Sequence, residues 1–95
     1  MNLIDKNIGF IRELCKSHKV KSLYAFGSVV TGKFNEDSDI DMIVDFSDVD
    51  LLDYADNYFD LKFSLEDKFN RRVDLLEEKT IKNPYFKDAI EESKL

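Results

Sequence analysis

A single cysteine, Cys15, is too few for an intrachain disulfide or a cysteine-based zinc site, and it predicts a reducing, cytoplasmic setting. One proline and three glycines in 95 residues argue against a disordered or low-complexity chain. No apolar run approaches the roughly twenty residues that cross a bilayer, and residues 1–6 lack a signal-peptide hydrophobic region, so a soluble, intracellular protein with no membrane partner is expected. Positive charge is also scarce. Fourteen Lys and Arg stand against 20 Asp and Glu, for a net charge of −6, and no stripe of cations occurs. That balance disfavours a broad nucleic-acid surface and suits a basic protein partner. The one histidine, His18, falls at an expected helix end, where it complements the helix dipole in preference to binding metal or moving protons.

What is present suffices for one core. A hydrophobic fraction of 43%, with 13% aromatic, predicts a single globular domain over residues 1–95, without linker or internal repeat. Ile4, Ile8, Ile11 and Leu14 or Cys15 recur at helical spacing and predict a first helix over 3–17, with Cys15 on its core side. A strand follows over 22–26, then a short helical turn at 29–32, a polar loop over 33–38 and a second strand over 39–46. Leu51, Tyr54, Ala55, Tyr58, Leu61, Leu65 and Phe69 hold a helical period through the longest helix, with Asp48 or Asp50 placed to cap it. A third strand is predicted over 72–76. Asn83-Pro84 then opens a final helix carrying Tyr85, Phe86, Ala89 and Ile90.

Within this frame, Ser38-Asp39-Ile40-Asp41 places two carboxylates on alternate residues at the start of a strand, hence on one face. Asp is disfavoured in strands, and a close pair of carboxylates raises at least one pKa unless a cation intervenes. Mg²⁺, which shares its oxygen ligands between one or two protein carboxylates, substrate phosphates and water, resolves that conflict. Asp74, in the third apolar run, supplies another acid, and Gly27-Ser28 closes the first run. An isolated Asp-x-Asp is usually only a solvated strand edge or turn. Here, however, three Asp fall at or near the ends of two apolar runs and Gly27-Ser28 closes a third, which points to a metal-bound triphosphate.

Two other motifs share these residues. Gly27 to Lys33 has the glycine–lysine spacing of a Walker A loop, but Phe34 stands where Ser or Thr would ligate Mg²⁺. Asp37, Asp39 and Asp41 match the first ligands of an EF-hand loop, but Met42 takes the obligatory glycine position and Asp48 that of the bidentate Glu. Neither motif is complete.

The site dictates a topology. If Gly27-Ser28 meets Asp39 and Asp41, strands one and two run antiparallel. If Asp74 joins them, strand three runs parallel to strand two through a right-handed helical crossover. The expected fold is α+β, a small mixed sheet packed with helices.

At Gly27-Ser28, Gly32, Ser38-Asp39-Ile40-Asp41 and Val73-Asp74-Leu75 the chain resembles the minimal nucleotidyltransferases of the DNA polymerase β superfamily. The resemblance implies a nucleotidyltransferase fold, with Asp39, Asp41 and Asp74 holding two Mg²⁺ ions and carrying catalysis. It also implies ATP as substrate, with Gly27, Ser28 and Ser38 at the triphosphate. Many relatives carry Arg just before the second glycine. Thr31 stands there in this chain, and Lys33 is then the cation placed to reach the phosphates. Small members of this family are commonly antitoxins paired with HEPN-domain toxins, and some transfer AMP to a toxin tyrosine. Catalysis of that kind is the expected function. The alternative is a binding module that neutralises the toxin by covering it, while transfer to a small molecule is disfavoured because no substrate domain fits in the chain.

Overall fold

The computed structural model describes residues 3–26, 39–81 and 95. The chain begins with two helical pieces, α1 (Leu3–Lys6) and α2 (Ile8–Ser17), where the periodicity predicts one continuous helix. The break is at Asn7, one of the weaker helix formers, whose backbone turns to φ −117° and ψ 18°. Its amide donates to the Ile4 carbonyl at 3.1 Å and its own carbonyl accepts from Ile11 at 2.9 Å, so the chain bends without orphaning these backbone groups. Ile4 and Ile11 stay buried on either side of the break.

Lys19, in the left-handed region at φ 57°, turns the chain into β1 (Val20–Phe26), two residues earlier than predicted. Next come β2 (Ile40–Phe46), α3 (Leu51–Phe69), β3 (Val73–Glu77) and a 3₁₀ turn, Glu78–Thr80. Asp50 precedes α3, but the Asp53 amide bonds the Asp50 backbone carbonyl at 2.9 Å and the Asp50 side chain makes no cap. Asn70, left-handed at φ 53°, ends the helix. The turn predicted at 29–32, the loop over 33–38 and the helix after Asn83-Pro84 lie outside the described residues.

The described strands form one sheet in the order β1-β2-β3. β1 pairs antiparallel with β2, and β2 pairs parallel with β3, as the site-based argument requires. One face is the main core: Leu23, Ala25, Ile40, Met42, Val44, Val73 and Leu75 pack against Ile4, Ile11, Leu61, Leu65 and Phe69 of the helices. On the other face Tyr24 and Ile43 pack with Ile81. Cys15 is partly buried against the main core, and burial pushes its thiol up to about 11.

His18 does more than complement a dipole. It is buried, its Nδ1 lies 2.8 Å from the Leu14 carbonyl oxygen and its Nε2 lies 2.6 Å from Oδ2 of Asp60, while Asn57 donates to its carbonyl at 2.8 Å. The ring thus ties the end of α2 to the middle of α3. No helix among the described residues is long and apolar enough to cross a membrane.

Candidate active site

Alternation along β2 sends Ile40, Met42 and Val44 into the main core, which turns Asp41 and Ile43 to the opposite face. Val73 and Leu75 do the same for Asp74 on β3. A slip of one residue in either strand would drive an aspartate into the core, so the apolar pattern itself fixes the register. The result is that Asp41 lies directly beside Asp74 across the parallel pair and opposite Phe26, the last residue of β1. Asp39 is the residue just before β2 on the same alternation.

Two hydrogen bonds hold this end of the sheet. The Ile40 amide donates to the Arg72 carbonyl at 2.9 Å, aligning the first residues of β2 and β3. The Val73 amide donates to Oε2 of Glu66 at 3.0 Å, so a side chain from the last turns of α3 anchors the strand one residue before Asp74. Sequence reasoning missed Glu66. A glutamate near a helix C-terminus opposes the helix dipole, and that misfit is the only local signal of its role.

Asp39 and Asp74 are exposed and Asp41 is half-buried. The Asp41 carboxyl is raised above its ordinary value by burial first, then by the negative charges of Asp74 and Asp39. The three acids therefore share one field. Among the described residues no lysine or arginine forms an ion pair with any of them. The donor set is entirely hard carboxylate oxygen, which suits Mg²⁺. Among the described residues no three acidic, histidine or cysteine side chains close into a preformed metal cage. Phosphate oxygens and water would have to complete the coordination, which is how Mg²⁺ is commonly held at nucleotide sites.

Gly27, Ser28, Lys33 and Ser38, expected at the triphosphate, and Thr31 and Gly32 lie outside the described residues. A cleft of about 830 Å³ does not coincide with the acids: it lies at the far end of β2, lined by Asp45, Asp48, Tyr54, Glu77 and Lys79 among others. The cleft marks where a molecule would fit, whereas the acids mark the end of the sheet where carboxylates gather on one face. Asp39, Asp41 and Asp74 are therefore the candidate site.

Residues 8–95 match the family model described as a nucleotidyltransferase domain. A protein of Methanocaldococcus jannaschii, provisionally named a protein adenylyltransferase, is 37% identical over 95 residues, spanning 92% of this chain and 94% of its own length. A solved structure provisionally described as a minimal nucleotidyltransferase aligns with a TM-score of 0.77 at 28% identity, covering 100% of this chain and 95% of that one. A crystal structure of a toxin–antitoxin with AMP-PNP aligns with a TM-score of 0.62 at 26% identity, covering 80% of this chain and 60% of that one.

Proposed function

Because the chain belongs to the nucleotidyltransferase domain family, we propose that it is a cytoplasmic, Mg²⁺-dependent protein adenylyltransferase. It moves AMP from ATP to a tyrosine hydroxyl of a HEPN toxin and so acts as that toxin's antitoxin, with residues 1–95 forming one domain. The observation that carries this reading is the register that sets Asp41 beside Asp74, in a field shared with Asp39. The provisional name of the M. jannaschii relative and the nucleotide-bound toxin–antitoxin neighbour support the substrate and the partner.

Asp39 and Asp41 would hold the metal–triphosphate, and Asp74 would complete the ligand set on the side where the acceptor arrives. Bound there, two Mg²⁺ ions would acidify the attacking hydroxyl and stabilise the leaving oxygen of an in-line displacement. Gly27, lacking a side chain, lets backbone approach the phosphates, Ser28 and Ser38 supply donors, and Lys33 provides the cation that Thr31 cannot. The acceptor oxygen bonds the α-phosphorus, the bond to the bridging oxygen of the β-phosphate breaks, pyrophosphate leaves and the hydroxyl proton passes to water. Exposure of Asp74 leaves that side open to a protein acceptor. The added phosphate puts bulk and negative charge on the toxin, where it repels RNA phosphates.

The test is to incubate a HEPN-domain toxin, sought first in the genes beside this one, with this protein, Mg²⁺ and ATP and to measure intact masses. A one-AMP increment on the toxin, lost with Asp39→Asn/Asp41→Asn, is expected. Thr31, standing where many relatives carry Arg, favours the second reading, a binding module. Neutralisation without any adduct, matched by the double variant, would establish that reading in place of the enzyme.

A further inference from the structure

Helix α3 carries apolar residues on two sides. Leu61, Leu65 and Phe69 are buried in the core, yet Leu52 is 94% exposed, Leu51 90%, Phe63 57% and Phe59 47%. At 100° per residue, Leu52, Phe59 and Phe63 fall within about 40° of one another on the outward side, a row about 16 Å long. A single exposed apolar residue needs no explanation, but a row along three turns of one helix does. The rings also touch one another. Phe59 and Phe63 stack with centroids 5.8 Å apart and planes inclined by 26°, and Tyr58 meets Phe59 edge-on at 5.1 Å.

A second row lies beside the first. On the same helical projection Asp56, Asp67, Asp60 and Asp53 occupy the next sector of about 60°, so one long edge of the apolar row is bordered by carboxylates. Apolar centres edged by charge are how protein interfaces are built, and the sign of the edge selects the partner. An antiparallel pairing of two copies across the row would set one acidic edge against the other, and the net charge of −6 opposes self-association further. We infer that the outward face of α3 is the docking surface for the toxin, which meets it with an apolar groove bordered on one side by Lys and Arg.

This rests on the antitoxin reading of the function. The face belongs to the helical side of the sheet, whereas alternation turns Asp41 and Asp74 to the opposite side, so substitutions on the face leave the carboxylates untouched. Holding and transfer are therefore separable. Two variants probe the surface, Phe59→Ala/Phe63→Ala for the row and Asp56→Lys/Asp67→Lys for its edge, with Asp60 kept because it bonds His18.

The experiment is calorimetric titration of the purified HEPN-domain toxin that the adduct test uses into wild type and each variant, with circular dichroism to show that the helix is intact. Light scattering on the protein alone and Mg²⁺-ATP titration accompany it. The inference expects roughly tenfold or greater loss of toxin affinity in the phenylalanine pair. It also expects weaker binding with a flattened salt dependence in the charge-reversed pair, and unchanged Mg²⁺-ATP affinity in both. Unaltered toxin affinity in both variants would overturn it. So would a wild-type dimer that the phenylalanine pair converts to monomer while toxin binding stays the same, which would assign the face to a second copy. Toxin that binds through this face but never gains AMP would retire the transferase reading and leave the surface standing. Equal adduct formation and equal affinity in wild type and the phenylalanine pair would do the reverse.

Discussion

Asp74 and Glu77 lie three residues apart on β3, yet their surroundings differ in kind. Glu77 accepts a hydrogen bond from the Tyr54 hydroxyl and pairs with Lys79 at 3.3 Å. Around it Lys79 sits 4.6 Å from the Tyr54 ring centroid, and Phe46 packs edge-on against the same ring at 5.4 Å. Glu77 is thus answered by its neighbours. At the other end of the sheet Asp74 lies beside Asp41, whose carboxyl is raised by burial and then by the negative charges of Asp74 and Asp39, and among the described residues no ion pair answers any of the three. A satisfied carboxylate contributes to the fold, while an unanswered group of them holds a place for a cation that folding does not supply. The cleft lies at the satisfied end, so its presence there does not locate the reaction.

The strongest way to break the contrast is to remove charge at the unanswered end. Asp39→Asn/Asp41→Asn keeps the shape and is expected to lower adenylyl transfer by roughly a thousandfold or more, about 4 kcal/mol of barrier, in a mass-resolved transfer assay. The same change relieves like-charge repulsion, so its thermal midpoint without metal should equal or exceed that of wild type.

Glu66→Ala sharpens the contrast by loosening the unanswered end without touching its charges. It leaves the buried strand amide of Val73 without its acceptor, which costs about 1–3 kcal/mol by urea denaturation. Displacing the first residues of β3 shifts Asp74, so transfer should fall by roughly tenfold. Glu66→Gln, which retains an acceptor oxygen, should recover most of both losses. Tyr54→Phe perturbs the satisfied end instead. Losing the hydrogen bond to Glu77 should cost about 1 kcal/mol and leave transfer unchanged.

The smallest effect concerns a group apart from both ends. Burial raises the Cys15 thiol to about 11 from its ordinary 9.0. Between those values the unfolded chain has lost the proton that the folded chain still holds, so stability declines as pH rises through that window. Alkylation of native protein by iodoacetamide at pH 8 should be markedly slower than that of urea-unfolded protein, with the gap narrowing as pH approaches 11.

Much of this architecture could be read from the residues because a local pattern and the geometry of the site agreed. Alternation in Ile40-Asp41-Met42 and in Val73-Asp74-Leu75 fixed which side chains face the core, and bringing the acids to one end then determined both strand directions. The helical period from Leu51 to Phe69 gave α3 its bounds. The break at Asn7 was hidden because Ile4, Ile8 and Ile11 keep their period across it. The early start of β1 was hidden because Lys19 and Lys21 flank Val20, and a left-handed lysine leaves no mark in sequence. Glu66 with Val73 and His18 with Asp60 are contacts set by packing between distant segments, which one-dimensional spacing does not encode. Of the expected site, Asp39, Asp41 and Asp74 meet at one end of the sheet, while Gly27, Ser28, Lys33 and Ser38 fall outside the described residues.

The claim that the unanswered acids are where a metal-bound nucleotide sits can be tested by titrating substoichiometric Mn²⁺ with ATP into ¹⁵N-labelled protein and following paramagnetic broadening of backbone amides. The account predicts broadening centred on Asp39, Ile40, Asp41 and Asp74, with Ser47, Tyr54 and Glu77 remaining sharp. Broadening centred instead on Asp45, Asp48 and Glu77, at the cleft end, would contradict it.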